Sequence, residues 1–349
     1  MTPAIEDAGC WFLRSGIQTS DGGVARFYRS ALARNAAVST EITGYAASAL
    51  CYLHSLSDRA GFLDAAVAAA RYLMHTAWNA DSNTFPFEPA SPLAYFFDIG
   101  IIVRGLSAVH RATGDQEFLD RARQAALSLA FDFIGDDGFH PVIELPEKQP
   151  LPYEPRWSRR PGCYQLKSAM AWLVAGGDSA NRLFDAALAR LLPTHQSFLA
   201  GEPDREKLMD RLHAYCYFLE ALLAVADRAE PRAALESGID RVSALLREIG
   251  PEFERSDVCA QLLRVRLIAH HLNAVALDES AAGEEARRAA SYQSASTDPR
   301  LRGGFWFGRK RDQMLPFMNP VSTAFCLQAL ALWDQHRNDA WHFDLDQLI

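Results

Sequence analysis

The sequence predicts an all-α fold, an (α/α)6 barrel (toroid) of six helical hairpins with the N-terminal helix closing the ring. Two observations predict it. Six times a loop rich in Gly, Pro and aromatic residues runs into an apolar helix with polar residues near its start, at a period of roughly 45–65 residues. A second, more amphipathic helix follows each of these except the last. The last apolar helix thus lacks a successor and the N-terminal helix lacks a predecessor, so the two complete a sixth pair.

Taken in order, residues 3–17 have the periodicity of an amphipathic helix. Apolar spacing near 3.6 and Gly/Pro breaks place the first hairpin at about 39–56 and 59–77, where the run from Ala65 to Ala70 favours helix. The second falls at about 93–113 and 115–133, split by Thr113-Gly114-Asp115. The third spans about 162–175 and 178–192, split by Gly176-Gly177-Asp178, and the fourth about 205–228 and 231–248, split before Pro231. The fifth covers about 256–273 and 278–293, and the sixth inner helix about 319–336. Asp21-Gly22-Gly23, Asp137-Gly138-Phe139 and Gly303-Gly304-Phe305 read as turns from helix into short extended segments. Residues 1–349 read as a single domain. The stretch 141–162 is rich in proline and carries Tyr153, Arg156, Trp157, Arg159 and Arg160, the composition of a lid or rim loop.

Composition narrows the function. With 49% hydrophobic and 22% charged residues the chain can bury a large core. The net charge is -8, and the densest basic run, Arg156 to Arg160, is too short for a nucleic-acid footprint. No stretch approaches the ~18 apolar residues of a membrane span. The opening residues carry acids where a secretory signal would be basic, so a cytoplasmic protein is expected. Six scattered cysteines without a C-x-x-C pair read as buried core thiols in a reducing compartment, with no metal site.

The chemistry is sought at the inner-helix starts. Glu41, Tyr45 and Ser48 share one helical face, as do His213, Tyr217 and Glu220, then Asp257, Gln261 and Arg264, then Asn319, Thr323 and Cys326. A polar stripe on a buried helix must find partners or line a cavity. Asp98 is the lone charge in Tyr95–Val103, and burial would raise its pKa unless it caps the helix or pairs with a cation such as Arg104. Glu41 and Asp257 each follow a serine that can cap, so dipole stabilisation competes with a catalytic reading. Glu88 lies between aromatics in Phe85–Pro89. His213 with Tyr215 could move a proton. Trp306 and Arg309, in Gly304–Asp312, suit an anionic or neutral glycan through ring stacking and bidentate contacts. Phosphate-binding loops, the nucleophile elbow, the zinc-protease motif and the acidic motifs of isoprenoid cyclases are absent.

Hairpin count, the two turns Asp21-Gly22-Gly23 and Gly303-Gly304-Phe305, and the helix starts Ser39–Tyr45 and Asn319–Thr323 together resemble the six-hairpin glycosidase-like (α/α)6 superfamily over nearly the whole chain. The resemblance implies a carbohydrate-processing enzyme, first a glycoside hydrolase with Asp98 and either Glu41 or Asp257 as its carboxyl pair. Arg104, His213, Tyr215, Gln261, Arg264 and Asn319 would orient hydroxyls, Trp157 and Trp306 would stack on sugar rings, and no cofactor is implied. Two alternatives are a uronate lyase or sugar epimerase using His213 or Tyr215, and a non-catalytic glycan-binding toroid in polysaccharide assembly.

Overall fold

The computed structural model describes every residue except Asp58, Asp136, Asp137 and Pro155. The expected turn residue Asp137, and Pro155 of the proline-rich stretch, lie outside the described residues. Thirteen α-helices are found among the described residues: α1 (Pro3–Arg14), α2 (Thr40–Ser57), α3 (Ala60–Tyr72), α4 (Phe96–Thr113), α5 (Gln116–Asp132), α6 (Leu166–Ala175), α7 (Ala180–Leu191), α8 (His195–Phe198), α9 (Arg205–Leu222), α10 (Ala229–Ile249), α11 (Ser256–His271), α12 (Glu279–Ala290) and α13 (Pro320–Arg337).

The chain divides into two compact units. The first comprises Gln18–Arg26 and Ala37–Thr194. In it α2, α4 and α6 pack in a row, and each pairs with the helix that follows it, α3, α5 and α7. The row is close because small residues sit at the crossings. Gly105 meets the backbone of Gly44, and a Cβ on Gly100 would collide with that of Ser168. The second unit comprises Met1–Ile17, Phe27–Ala36 and His195–Ile349. Here α9, α11 and α13 form the row, backed by α10, α12 and α1. The N-terminal helix is therefore the outer partner of the last inner helix, as expected. Inner helices are buried nearly all round, α11 without a break from Ser256 to Ala269, whereas α10 and α12 bury one face.

Polar side chains end these helices where the sequence suggests. Asp115 accepts from the Glu117 amide (3.0 Å), and Asn319 accepts from the Val321 amide (2.8 Å). Three short antiparallel sheets refine the expected boundaries. Leu93–Tyr95, assigned to helix by periodicity, is a strand on Val142–Glu144, so α4 starts only at Phe96. Val142–Glu144 also pairs with Gln149–Pro150, so the proline-rich stretch is partly sheet and partly a 3-10 turn at Trp157–Arg159. In the second unit Phe253–Arg255 pairs with Gly308–Lys310, and Tyr28–Arg29 with Phe317–Met318. Such two- and three-residue strands carry too little alternation to be read from sequence. Five of the six cysteines are buried, Cys10 is half-buried, and all six are free thiols.

Candidate active site

In the first unit two carboxyl groups sit in the first turns of adjacent inner helices, Glu41 on α2 and Asp98 on α4. Local contacts hold both starts. The Thr40 hydroxyl donates to the Phe87 carbonyl (2.9 Å), tying α2 to the Phe85–Pro89 loop, and the Ser168 hydroxyl donates to the Phe97 carbonyl (2.7 Å). Asp98 is 7% exposed and its Oδ2 has no hydrogen-bond partner among the described residues. Burial, followed by the charge of Glu41, pushes the Asp98 carboxyl well above the usual range, with only Arg26 opposing. Burial likewise pushes Glu41, which retains some solvent contact, up to about 7 against the pull of Arg26. The two groups are linked: the charge of Glu41 adds to the burial that keeps Asp98 protonated.

A row of two rings flanked by two guanidinium groups borders the pair. Arg26 bonds Glu88 (2.8 Å) and lies 4.9 Å from the centroid of Phe87. Phe87 packs on Tyr95 at 5.3 Å, and Arg159 lies 5.5 Å over Tyr95. Behind it Trp157 meets the buried Tyr164 edge-on at 5.0 Å, and Tyr164 meets Phe97 at 5.8 Å. Burial raises the Tyr164 phenol, and Asp98 is among the charges that raise it further. Glu88 and Trp157 thus come to the surroundings of Asp98. Tyr45 and Arg104 are buried on α2 and α4.

The second unit builds a different constellation around His213 on α9. Its Nδ1 lies 2.7 Å from Oε1 of Gln261 and 3.7 Å from Oδ2 of Asp257. Arg255, at the end of its strand, grips Asp257 in a two-pronged bond (2.9 and 2.6 Å) and reaches Asp210 (2.7 Å). Burial alone would raise Asp257, but Arg255, His213 and hydrogen bonds hold its carboxyl below the usual range. Burial, with Arg255 adding, pushes His213 down to about 4 despite Asp257.

The remaining sequence candidates lie apart from His213's polar contacts. Tyr215 is two residues from His213 and faces the other way, its hydroxyl 3.0 Å from Nδ1 of His195. The ring beside His213 is Tyr217, at 4.6 Å. Arg264 is fully buried against Glu220 and Gln328 and donates to the Ile349 carbonyl (3.3 Å). Arg309 bonds the buried Glu254 (3.1 Å), and Asn319 caps α13. The Trp306 carbonyl accepts from Ser256 (2.7 Å), fastening its segment to α11.

Sequence reasoning did not single out Arg26, Tyr95, Tyr164 or Arg255. Tyr95 and Arg255 each stand immediately before an inner helix, a position that could have drawn attention to them. Arg26 lies outside the helices and remote in sequence from Asp98, and offers no such signal. Among the described residues no cluster of three or more His, Cys, Asp or Glu could hold a metal ion.

No protein-family model and no curated protein matches the sequence. Solved structures match its fold. The chain resembles the cellobiose 2-epimerase of Spirochaeta thermophila at TM-score 0.70 and 13% identity, over 93% of this chain and 94% of that one. It resembles a D-mannose isomerase at TM-score 0.69 and 10% identity, over 95% and 96% of the chains. It also resembles an alpha-mannanase of Bacteroides thetaiotaomicron at TM-score 0.64 and 12% identity, over 95% and 98%. At these identities the likeness shows the fold, the all-α (α/α)6 class that the sequence predicts. No helix is long and apolar enough among the described residues to cross a membrane.

Proposed function

We propose that the protein is a carbohydrate-processing enzyme, a glycoside hydrolase whose acid/base pair is Glu41 and Asp98. One observation carries this reading: two buried carboxyl groups on neighbouring inner-helix starts, Asp98 raised by burial and by the charge of Glu41, and Glu41 brought by burial to about 7. Between its two titration steps such a pair holds one proton and one negative charge. The protonated member gives its proton to the glycosidic oxygen as the bond to the anomeric carbon breaks. The ionised member takes a proton from the water whose oxygen bonds that carbon. The Phe87, Tyr95 and Trp157 rings offer faces on which a sugar can stack. The segment 141–162 supplies Trp157 and Arg159 to this border and is assigned as its rim. Asp257 is not assigned to the pair, because a carboxylate clamped by Arg255 stays ionised and occupied. The solved structures that share the fold include an alpha-mannanase, which supports the substrate class.

The test measures product release by wild type, Glu41→Gln and Asp98→Asn across a panel of α- and β-linked oligosaccharides. Turnover by wild type, lost in both variants while circular dichroism is unchanged, is expected. Full turnover in either variant would sink the assignment, and binding without turnover by wild type would favour a glycan-binding role.

A second reading has its own observation. Pushed down to about 4, His213 is neutral at pH 7. Oxygens of Gln261 and Asp257 both face Nδ1, which places the proton there and the lone pair on Nε2. A neutral imidazole so oriented can remove a proton from carbon beside a carbonyl, as sugar epimerisation and isomerisation require. Two of the compared structures are described as an epimerase and an isomerase. Deuterium incorporation at C2 of reducing sugars in heavy water, abolished by His213→Ala and retained by Glu41→Gln, would establish this reading.

A further inference from the structure

The protein carries a net charge of -8, yet its proline-rich segment concentrates Arg156, Arg159 and Arg160 within one turn of chain. An acidic protein repels anionic ligands at long range, so a local cationic cluster has its effect close to where it sits. Here Arg159 brings the cluster to Tyr95, a neighbour of Asp98. Arg159 lies 5.5 Å over Tyr95 and bonds Glu154 only loosely, at 3.4 Å. Tyr95 experiences the charges of Arg159, Asp98 and Arg156, so the cations and the reactive carboxyl share one neighbour. Arg156 and Arg160 are exposed and form no ion pair with a carboxylate among the described residues. Lys148, earlier in the same segment, is by contrast committed to Asp132 (2.6 Å).

The segment is also held in place. Trp157 packs on the buried Tyr164, Tyr153 donates to the Phe139 carbonyl (2.8 Å), and Gln149–Pro150 pairs with Val142–Glu144. The backbone that carries the guanidinium groups is thus anchored before a ligand arrives, which lowers part of the ordering cost of binding. Guanidinium forks match the paired oxygens of carboxylates and phosphates.

We infer that Arg156 and Arg160 recognise a negatively charged substituent on the sugar, so that the substrate is an acidic glycan bearing a carboxylate, phosphate or sulfate. This rests on the reading of Glu41 and Asp98 as the reactive pair. Calorimetry with the full-length protein decides it. The probes are a glucuronate-terminated disaccharide, its glucose counterpart, and the same disaccharide carrying phosphate or sulfate. The acidic forms should bind about tenfold or more tightly than the neutral form at low salt, with the preference shrinking as salt rises. The acid that binds tightest names the substituent. In Arg156→Gln/Arg160→Gln the preference should fall towards unity. Equal binding, no binding of any form, or an unchanged preference in the variant overturns the inference. Turnover by Glu41→Gln is read separately: if it persists, the carboxyl-pair reading falls while the binding preference stands or falls on its own.

Discussion

Asp98 and Asp257 occupy matching places and end in opposite states. Each lies in the first turn of an inner helix, and each helix is entered from a three-residue strand, Leu93–Tyr95 or Phe253–Arg255. Both acids are buried, at 7% and 1% exposure. The residue that caps the strand differs: Tyr95 before α4, Arg255 before α11. Arg255 supplies two charge-assisted bonds, and Asp257 is held below the usual range although it is the more buried acid. Asp98 has no such bond from Tyr95 and has Glu41 as a like-charged neighbour, so desolvation prevails and its pKa rises. Burial sets the size of what is at stake, and one adjacent side chain sets its sign.

Four measurements break or sharpen this contrast. The largest effect is on turnover, where Glu41→Gln and Asp98→Asn should each lower kcat/KM by about 10²–10⁴-fold. Asp257→Asn should act differently, lowering thermal stability first, because it strips Arg255 of its main partner. Next, Arg255→Gln leaves Asp257 buried without its cation and should cost about 3–5 kcal/mol of unfolding free energy by denaturant titration. A stable Arg255→Gln variant would mean that Asp210, His213 and Gln261 re-form the network without it.

The third measurement is pH dependence. Folding raises Glu41 from an ordinary 4.5 to about 7, so the folded state binds this proton more tightly than the unfolded chain. Its contribution is fully present below pH 4.5 and is lost as pH rises through about 7. Glu41→Gln cannot ionise, so relative to wild type it should gain on the order of 1–3 kcal/mol between pH 4.5 and pH 8. A parallel pair of stability curves would remove the strained carboxyl from the account. The smallest effect is at the helix crossing: Gly100→Ala should cost about 1–3 kcal/mol, since its Cβ meets Ser168.

The helices were legible because each alternates apolar runs with Gly/Pro breaks over several turns, and Asp98 was legible as a lone charge in an apolar run. Asp257 reads differently, as an acid following Ser256 for which helix capping competes with catalysis. What separated the two was Arg255, whose side chain turns back on the helix start, a geometry that spacing does not encode. The His213–Tyr215 pairing failed to form for a helical reason, since residues two apart point to different sides, while the i,i+4 stripe correctly placed Tyr217 beside His213. The Arg26–Phe87–Tyr95–Arg159 row joins four separate stretches of chain, and each residue alone reads as ordinary surface.

The close crossings of Gly44 with Gly105 and of Gly100 with Ser168 bear on how this protein could change over evolutionary time. Backbones in direct contact leave no side chain to trim or enlarge, so α2, α4 and α6 cannot be re-spaced by single substitutions. New specificities would therefore arise by exchanging the residues that rim the helix starts, with the distance between Glu41 and Asp98 inherited almost unaltered.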